Sequence, residues 1–171
     1  MATTICVLDT CILIDLQHGR VLAKLAQLSQ RFVITDLWQM DGLSSVSPAE
    51  VAEAGIRMLH AEPDLVARAM TLCTQHRALS VADSFSLLLA EHHRAMLVTG
   101  DQPLRSVAED RGLIVHGVLW LLDEMVCAEA VTASDAVSAL ERVVTGGARL
   151  PVTAVARQIA TWRRLSRNEE P

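Results

Sequence analysis

Apolar residues in this chain fall into short unbroken runs, separated by stretches in which they recur every three or four positions. Residues 5–8, Ile-Cys-Val-Leu, form a run with no polar interruption, the pattern of a strand buried on both faces. Residues 95–98 repeat that pattern, residues 32–34 and 113–115 do so more briefly, and residues 56–60 read as an edge strand. Helical spacing fills the gaps. Residues 10–17 form one helix, and Leu22, Leu25, Ala26 and Leu28 mark a second, shorter one. Pro48 opens a helix that Gly55 helps to end, and Pro63 opens another with Leu65, Ala69 and Leu72 on one face. The clearest helix covers residues 80–92, where Ser80 and Asp83 make a capping pattern ahead of Val81, Phe85, Leu88 and Leu89. Leu104, Val107 and Ala108 predict a short helix ended by Gly112. After Gly117 the spacing is helical throughout, in stripes through Leu121, Leu140 and Ile159, with Gly146-Gly147 and Pro151 separating the last two.

Strands alternating with helices predict parallel βαβ units with right-handed crossovers. The expected fold is α/β: a three-layer α/β/α arrangement around a parallel sheet of four to five strands, with a C-terminal helical extension. Residues 1–117 would form the α/β part, residues 118–167 helices packed on the same domain, and residues 168–171 a disordered tail. Composition narrows the partners more than the fold. Of the 171 residues, 51% are hydrophobic but only 3% aromatic, so Leu, Val and Ala must build the core. The formal net charge of −5 does not advertise nucleic-acid binding, although an acidic site would itself contribute to that sum. Cys6, Cys11, Cys73 and Cys127 include no C-x-x-C pair, which argues against a zinc site or a disulfide framework. No apolar stretch is long enough to cross a bilayer. The first segment is interrupted by Asp9 and Asp15 and has no basic leader, so a cytoplasmic protein is expected.

Four acids stand where apolar runs pass into helices: Asp9, Asp41, Asp83 and Asp101. On neighbouring parallel strands they converge at one sheet edge, where open α/β folds bind their ligands. Packed carboxylates repel and take up protons unless a cation sits among them, so the pattern points to a hard divalent metal. Each acid also has an ordinary use, since Asp caps helices and suits their first turn. The two uses are compatible, because a capping carboxylate has a second oxygen to offer.

Three segments carry a resemblance to a known family. Val7-Leu8-Asp9-Thr10-Cys11-Ile12-Leu13-Ile14-Asp15-Leu16 resembles the opening of PIN-domain proteins, Ser80-Val81-Ala82-Asp83-Ser84-Phe85 their third acidic motif, and Leu97-Val98-Thr99-Gly100-Asp101-Gln102-Pro103-Leu104 their fourth. The likeness runs from Ile5 to about Leu122. The family pattern has a Glu on the helix after the second strand. Asp41 matches that position here, with Glu50, Glu53 and Asp36 as other acids that could substitute.

The resemblance implies a metal-dependent endoribonuclease, with Asp9, Asp83 and Asp101 as ligands of Mg²⁺ or Mn²⁺ and Asp41 as a further ligand or a base. Thr10 and Thr99 would orient carboxylates or phosphate, or else stabilise turns. Arg157, Arg164 and Arg167 share one face of the last helix and form either a solvated face or a strip of phosphate contacts. The resemblance further implies an RNA substrate, a homodimer and a small antitoxin, as in bacterial toxin–antitoxin pairs. The alternative is a PIN-like protein that binds RNA or protein through an impaired metal site. A receiver-like phosphotransfer protein would need a Lys late in the sheet, and Lys24 is the only Lys. Nor is there a Gly-rich loop with a following Lys for nucleotide hydrolysis of the P-loop kind.

Overall fold

The computed structural model describes residues 4–41, 46–60 and 62–168, leaving aside the side chains of residues 39–41, 167 and 168. Five parallel strands form one sheet in the order β3-β2-β1-β4-β5. They are β1 (Ile5–Leu8), β2 (Arg31–Thr35), β3 (Arg57–Leu59), β4 (Met96–Val98) and β5 (Val115–His116). Strand β1 is central because it is uniformly apolar and pairs on both sides. Val7 lies opposite Val33 of β2 and Leu97 of β4.

Strand alternation divides the core in two. Cys6, Leu8, Phe32, Ile34 and Val98 point to one face of the sheet, and Val7, Val33 and Leu97 to the other. The first face is covered by α1 (Thr10–Gly19) and α2 (Pro48–Glu53), with the 3₁₀ helix Leu22–Gln27 between them in sequence. The second is covered by α3 (Pro63–Gln75), α4 (Val81–His93) and α5 (Gln102–Asp110). Connections running from β1 toward β3 use one face, and those running toward β5 use the other. Right-handed crossovers require this division. The reversal falls between β1 and β4, which makes their C-terminal ends the crevice of the sheet.

Helices α6 (Val118–Cys127), α7 (Ala133–Thr145) and α8 (Val152–Asn168) add to the first face. Helix α7 packs on α1, and α8 packs on α7. Gly146 sits so close to the His18 ring that a Cβ there would collide with it, and Gly147 has φ +105. Those two demands explain the Gly-Gly pair at the end of α7. Trp162 of α8 is fully buried, and its indole Nε1–H donates to Asp123 of α6 at 2.9 Å.

The short helix expected after Leu22 is present as a 3₁₀ helix, and Asp36–Asp41, where a helix carrying Asp41 is expected, is another. One sequence expectation needs correction. The last strand begins at Val115, not at residue 113. The backbone N–H of Leu113 closes the turn behind α5 by donating to Ala108, so pairing with β4 starts only at the carbonyl of Ile114. The predicted tail lies outside the described residues beyond Asn168, which itself ends α8.

Candidate active site

Sheet register builds the site. Leu8 lies opposite Val98, so the residues that follow them, Asp9 and Thr99, sit side by side across the crevice. The Asp9 backbone N–H donates to Val98, and that of Thr99 to His116. Thr99 is fully buried, and its hydroxyl donates to Asp9 Oδ2 at 2.6 Å while accepting the Asp101 backbone N–H at 3.0 Å. One hydroxyl therefore fixes two of the expected acids, and Thr99 does more than stabilise a turn.

Each acid also begins a helix. Asp9 is the N-cap of α1 and takes the Thr10 N–H on Oδ1 at 2.7 Å. Asp101 is the N-cap of α5, its Oδ1 accepting from the Leu104 N–H at 2.8 Å. Asp83 is the third residue of α4 and closes a capping box, with Oδ2 accepting from the Ser80 N–H at 2.7 Å. The N-termini of α1, α4 and α5 thus meet at one edge, and their dipoles favour negative charge there. Among the described residues, none of these three acids has a cationic partner within ion-pair distance.

Burial separates the acids. Asp9 is only 4% exposed, and desolvation pushes its carboxyl above the usual range. Hydrogen bonds from Thr99, Cys11 and Thr10 oppose that rise, and the charge of Asp83 adds to it. The Cys11 thiol donates to Asp9 Oδ2 at 3.0 Å and accepts the Gly100 N–H at 3.2 Å. Burial holds this thiol protonated, so it acts here as a hydrogen-bond donor and not as a nucleophile.

The donor set fits a hard divalent cation in kind: carboxylate oxygens at one edge, uncompensated by Lys or Arg. Asp83 Oδ1 and Asp101 Oδ2 accept no hydrogen bond among the described residues. Three His, Cys, Asp or Glu side chains do not converge to ligand spacing anywhere among those residues. Mg²⁺ commonly keeps several waters and needs only one or two carboxylates, so that spacing is compatible with such an ion.

The other expected residues divide. The Asp41 side chain lies outside the described residues. Glu50, its possible substitute, is engaged elsewhere. It forms a capping box with Ser47 and accepts from Gln17 Nε2 at 3.2 Å. Asp36 pairs with His60 at 3.0 Å. Arg157 and Arg164 are exposed along a cleft on α8 that none of the acids line, and the Arg167 side chain falls outside the described residues.

Two residues at the edge had escaped the sequence reading. Asp15 lies on the inward face of α1 among Ile12, Leu13 and Leu16. Burial and the charge of Asp9 push its carboxyl up to about 6. An acid inside an apolar helical stripe is itself a signal, because burying it is costly unless it has work to do. Arg149, in the turn between α7 and α8, lines a cavity together with Asp15 and carried no local signal.

A family model described as a PIN domain matches residues 5–164. The match thus extends beyond the strands and through the C-terminal helices, past the Leu122 limit of the motif-based likeness. No curated protein matches the chain, and no solved structure does. A family match over that much of its length makes the chain a member of the PIN-domain family, with the nuclease-like fold of that family.

Proposed function

We propose that the chain is a Mg²⁺- or Mn²⁺-dependent endoribonuclease acting in the cytoplasm as the toxin of a toxin–antitoxin pair. A small antitoxin would cover its acidic edge, and a second copy would complete a homodimer. The observation that carries the nuclease reading is the Thr99 hydroxyl, which ties the Asp9 carboxylate to the Asp101 backbone across the crevice between β1 and β4. Family membership supports a hydrolase coarsely. RNA hydrolysis, the metal and the toxin role are the proposal.

In this reading Asp9, Asp83 and Asp101 hold the cation, and Asp41 is a further ligand or a base. When bound, such a cation lowers the pKa of water and neutralises charge on a phosphodiester. The protein's own part is orientation. Thr99 and Cys11 hold Asp9 by one oxygen while Thr10 holds the other, so the carboxylate cannot rotate. Capping contacts restrain Asp83 and Asp101 in the same way, each by one oxygen. The three helix N-termini favour an incoming phosphate as they favour the carboxylates. Exposed Arg157 and Arg164 would contact the RNA backbone away from the cut.

A protein that binds RNA without cutting it is the competing reading, favoured by the lack of three converging ligands among the described residues. Incubating a labelled RNA pool with Mn²⁺ or Mg²⁺ decides between them. Wild type should cut, and both Asp9→Asn and Asp101→Asn should lose at least about 100-fold in rate, the scale of removing one fixed electrostatic group. Absence of cutting, together with no heat of cation binding, would leave the binding protein.

A further inference from the structure

Beside the acids, between α1 and the turn joining α7 to α8, lies a cavity of about 270 Å³. Cys11, Ile14 and Asp15 form its α1 wall, Gly100 and Asp101 its sheet-edge wall, and residues 146–150 the wall opposite. Asp15 is 9% exposed and has no hydrogen-bond or ion-pair partner among the described residues. A buried carboxylate in that state wants a donor. Its open oxygen faces the cavity beside Gly100, where an added Cβ would stand 3.9 Å from Asp15 Oδ2 and 3.6 Å from Cys11 Sγ. An ionised carboxylate there offers acceptors and no donor. Arg149 is exposed and forms no ion pair among the described residues, which leaves its guanidinium at the mouth.

We propose that this cavity is a nucleotide subsite flanking the cleaved bond, in which Asp15 reads the base and Arg149 holds the adjoining phosphate. The inference rests on the nuclease reading and adds a substrate preference to it. An acceptor-only carboxylate selects a base with hydrogen-bond donors on its Watson–Crick edge, the edge by which unstacked RNA bases are read. Guanine offers two adjacent donors there, N1–H and N2–H. Uracil offers one, flanked by two carbonyl oxygens that would face the carboxylate. Sites built to hydrogen-bond a group discriminate strongly against analogues that lack it. The cavity is also small, close to the lower end for ligand sites, which suits one nucleoside and not a duplex. The C-terminal helices acquire a role as well, because their connecting turn supplies the far wall.

The test is binding of two short single-stranded RNAs in Ca²⁺, a uridine tract with one central guanosine and the same uridine tract without it. Wild type should bind the guanosine-containing tract at least about tenfold more tightly, the scale of a bidentate base contact. Asp15→Asn should shrink that ratio to about twofold or less while leaving the uridine tract's affinity unchanged. Arg149→Ala should weaken both tracts alike and lower the slope of log affinity against log salt by about 0.7, one phosphate contact to a single strand. Equal affinities in wild type, or a preference that survives Asp15→Asn, would overturn the subsite. Cleavage of the same RNAs in Mn²⁺ separates the two claims. Discrimination without cutting keeps the subsite and removes the nuclease, cutting without discrimination does the reverse, and failure to bind either RNA removes both.

Discussion

Asp9 and Asp15 lie six residues apart on one helix, and burial raises both carboxyls, yet their surroundings differ. Asp9 is met by the Thr10 N–H, the Thr99 hydroxyl and the Cys11 thiol. Asp15 is met by no donor among the described residues. Its titration should therefore be visible in the stability of the fold. The folded protein binds the Asp15 proton more tightly than the unfolded chain, whose value is near 3.8. The stabilisation this provides is complete below pH 3.8 and is lost as pH rises through about 6. Asp15→Asn does not titrate. In metal-free buffer its urea midpoint should match wild type at the acid end, exceed it increasingly across that window, and stay above it by a constant margin at higher pH. Parallel midpoints from pH 4 to 7 would mean that Asp15 is solvated as an ordinary surface acid.

At the scale of elements, the acids serve twice, as helix caps and as the site's charge, and substitutions can pull the two uses apart. Asn caps as well as Asp does, so Asp101→Asn should leave thermal stability nearly unchanged while cleavage falls. Asp101→Ala should lose the cap as well, at about 1 kcal/mol. Equal activity in Asp101→Asn and wild type would reduce Asp101 to a cap. This double use also sets what could be read in the sequence. The strand runs, the capping pattern at Ser80 and the acids at strand ends are local signals, and β1, α4 and the positions of Asp9, Asp83 and Asp101 all follow from them. The role of Thr99 was half legible, because a hydroxyl beside an acid can bond its own turn or reach another strand, and only the register decides. The 3₁₀ helices were not legible, since a few apolar residues at helical spacing do not distinguish three residues per turn from 3.6. Asp15 was half legible, because an acid in the apolar stripe of α1 is a signal but only the fold shows what it faces. Arg149 comes to the edge only through the packing of α7 on α1, a contact between segments more than one hundred residues apart.

Across the whole molecule, the C-terminal helices belong to the same apolar core as α1 and the first face of the sheet. Trp162 anchors α8 in that core, while its indole N–H and the Gln158 amide both donate to Asp123 Oδ1. Trp162→Ala should cost about 3–5 kcal/mol through the cavity it leaves. That is a large share of the roughly 5–15 kcal/mol that holds a typical domain. Urea unfolding measures it, and a loss below about 1 kcal/mol would show α8 to be a detachable appendage. The central place of β1 has a further consequence, in time. Asp9 is synthesised well before the hydroxyl that orients it, which lies 90 positions later. At synthesis rates of about 5–20 residues per second, several seconds pass between the two. Arg149 comes later still. Under the proposed RNA-cutting function, the chain would spend its synthesis beside the message and the ribosome that make it, with its acidic edge not yet assembled during that interval.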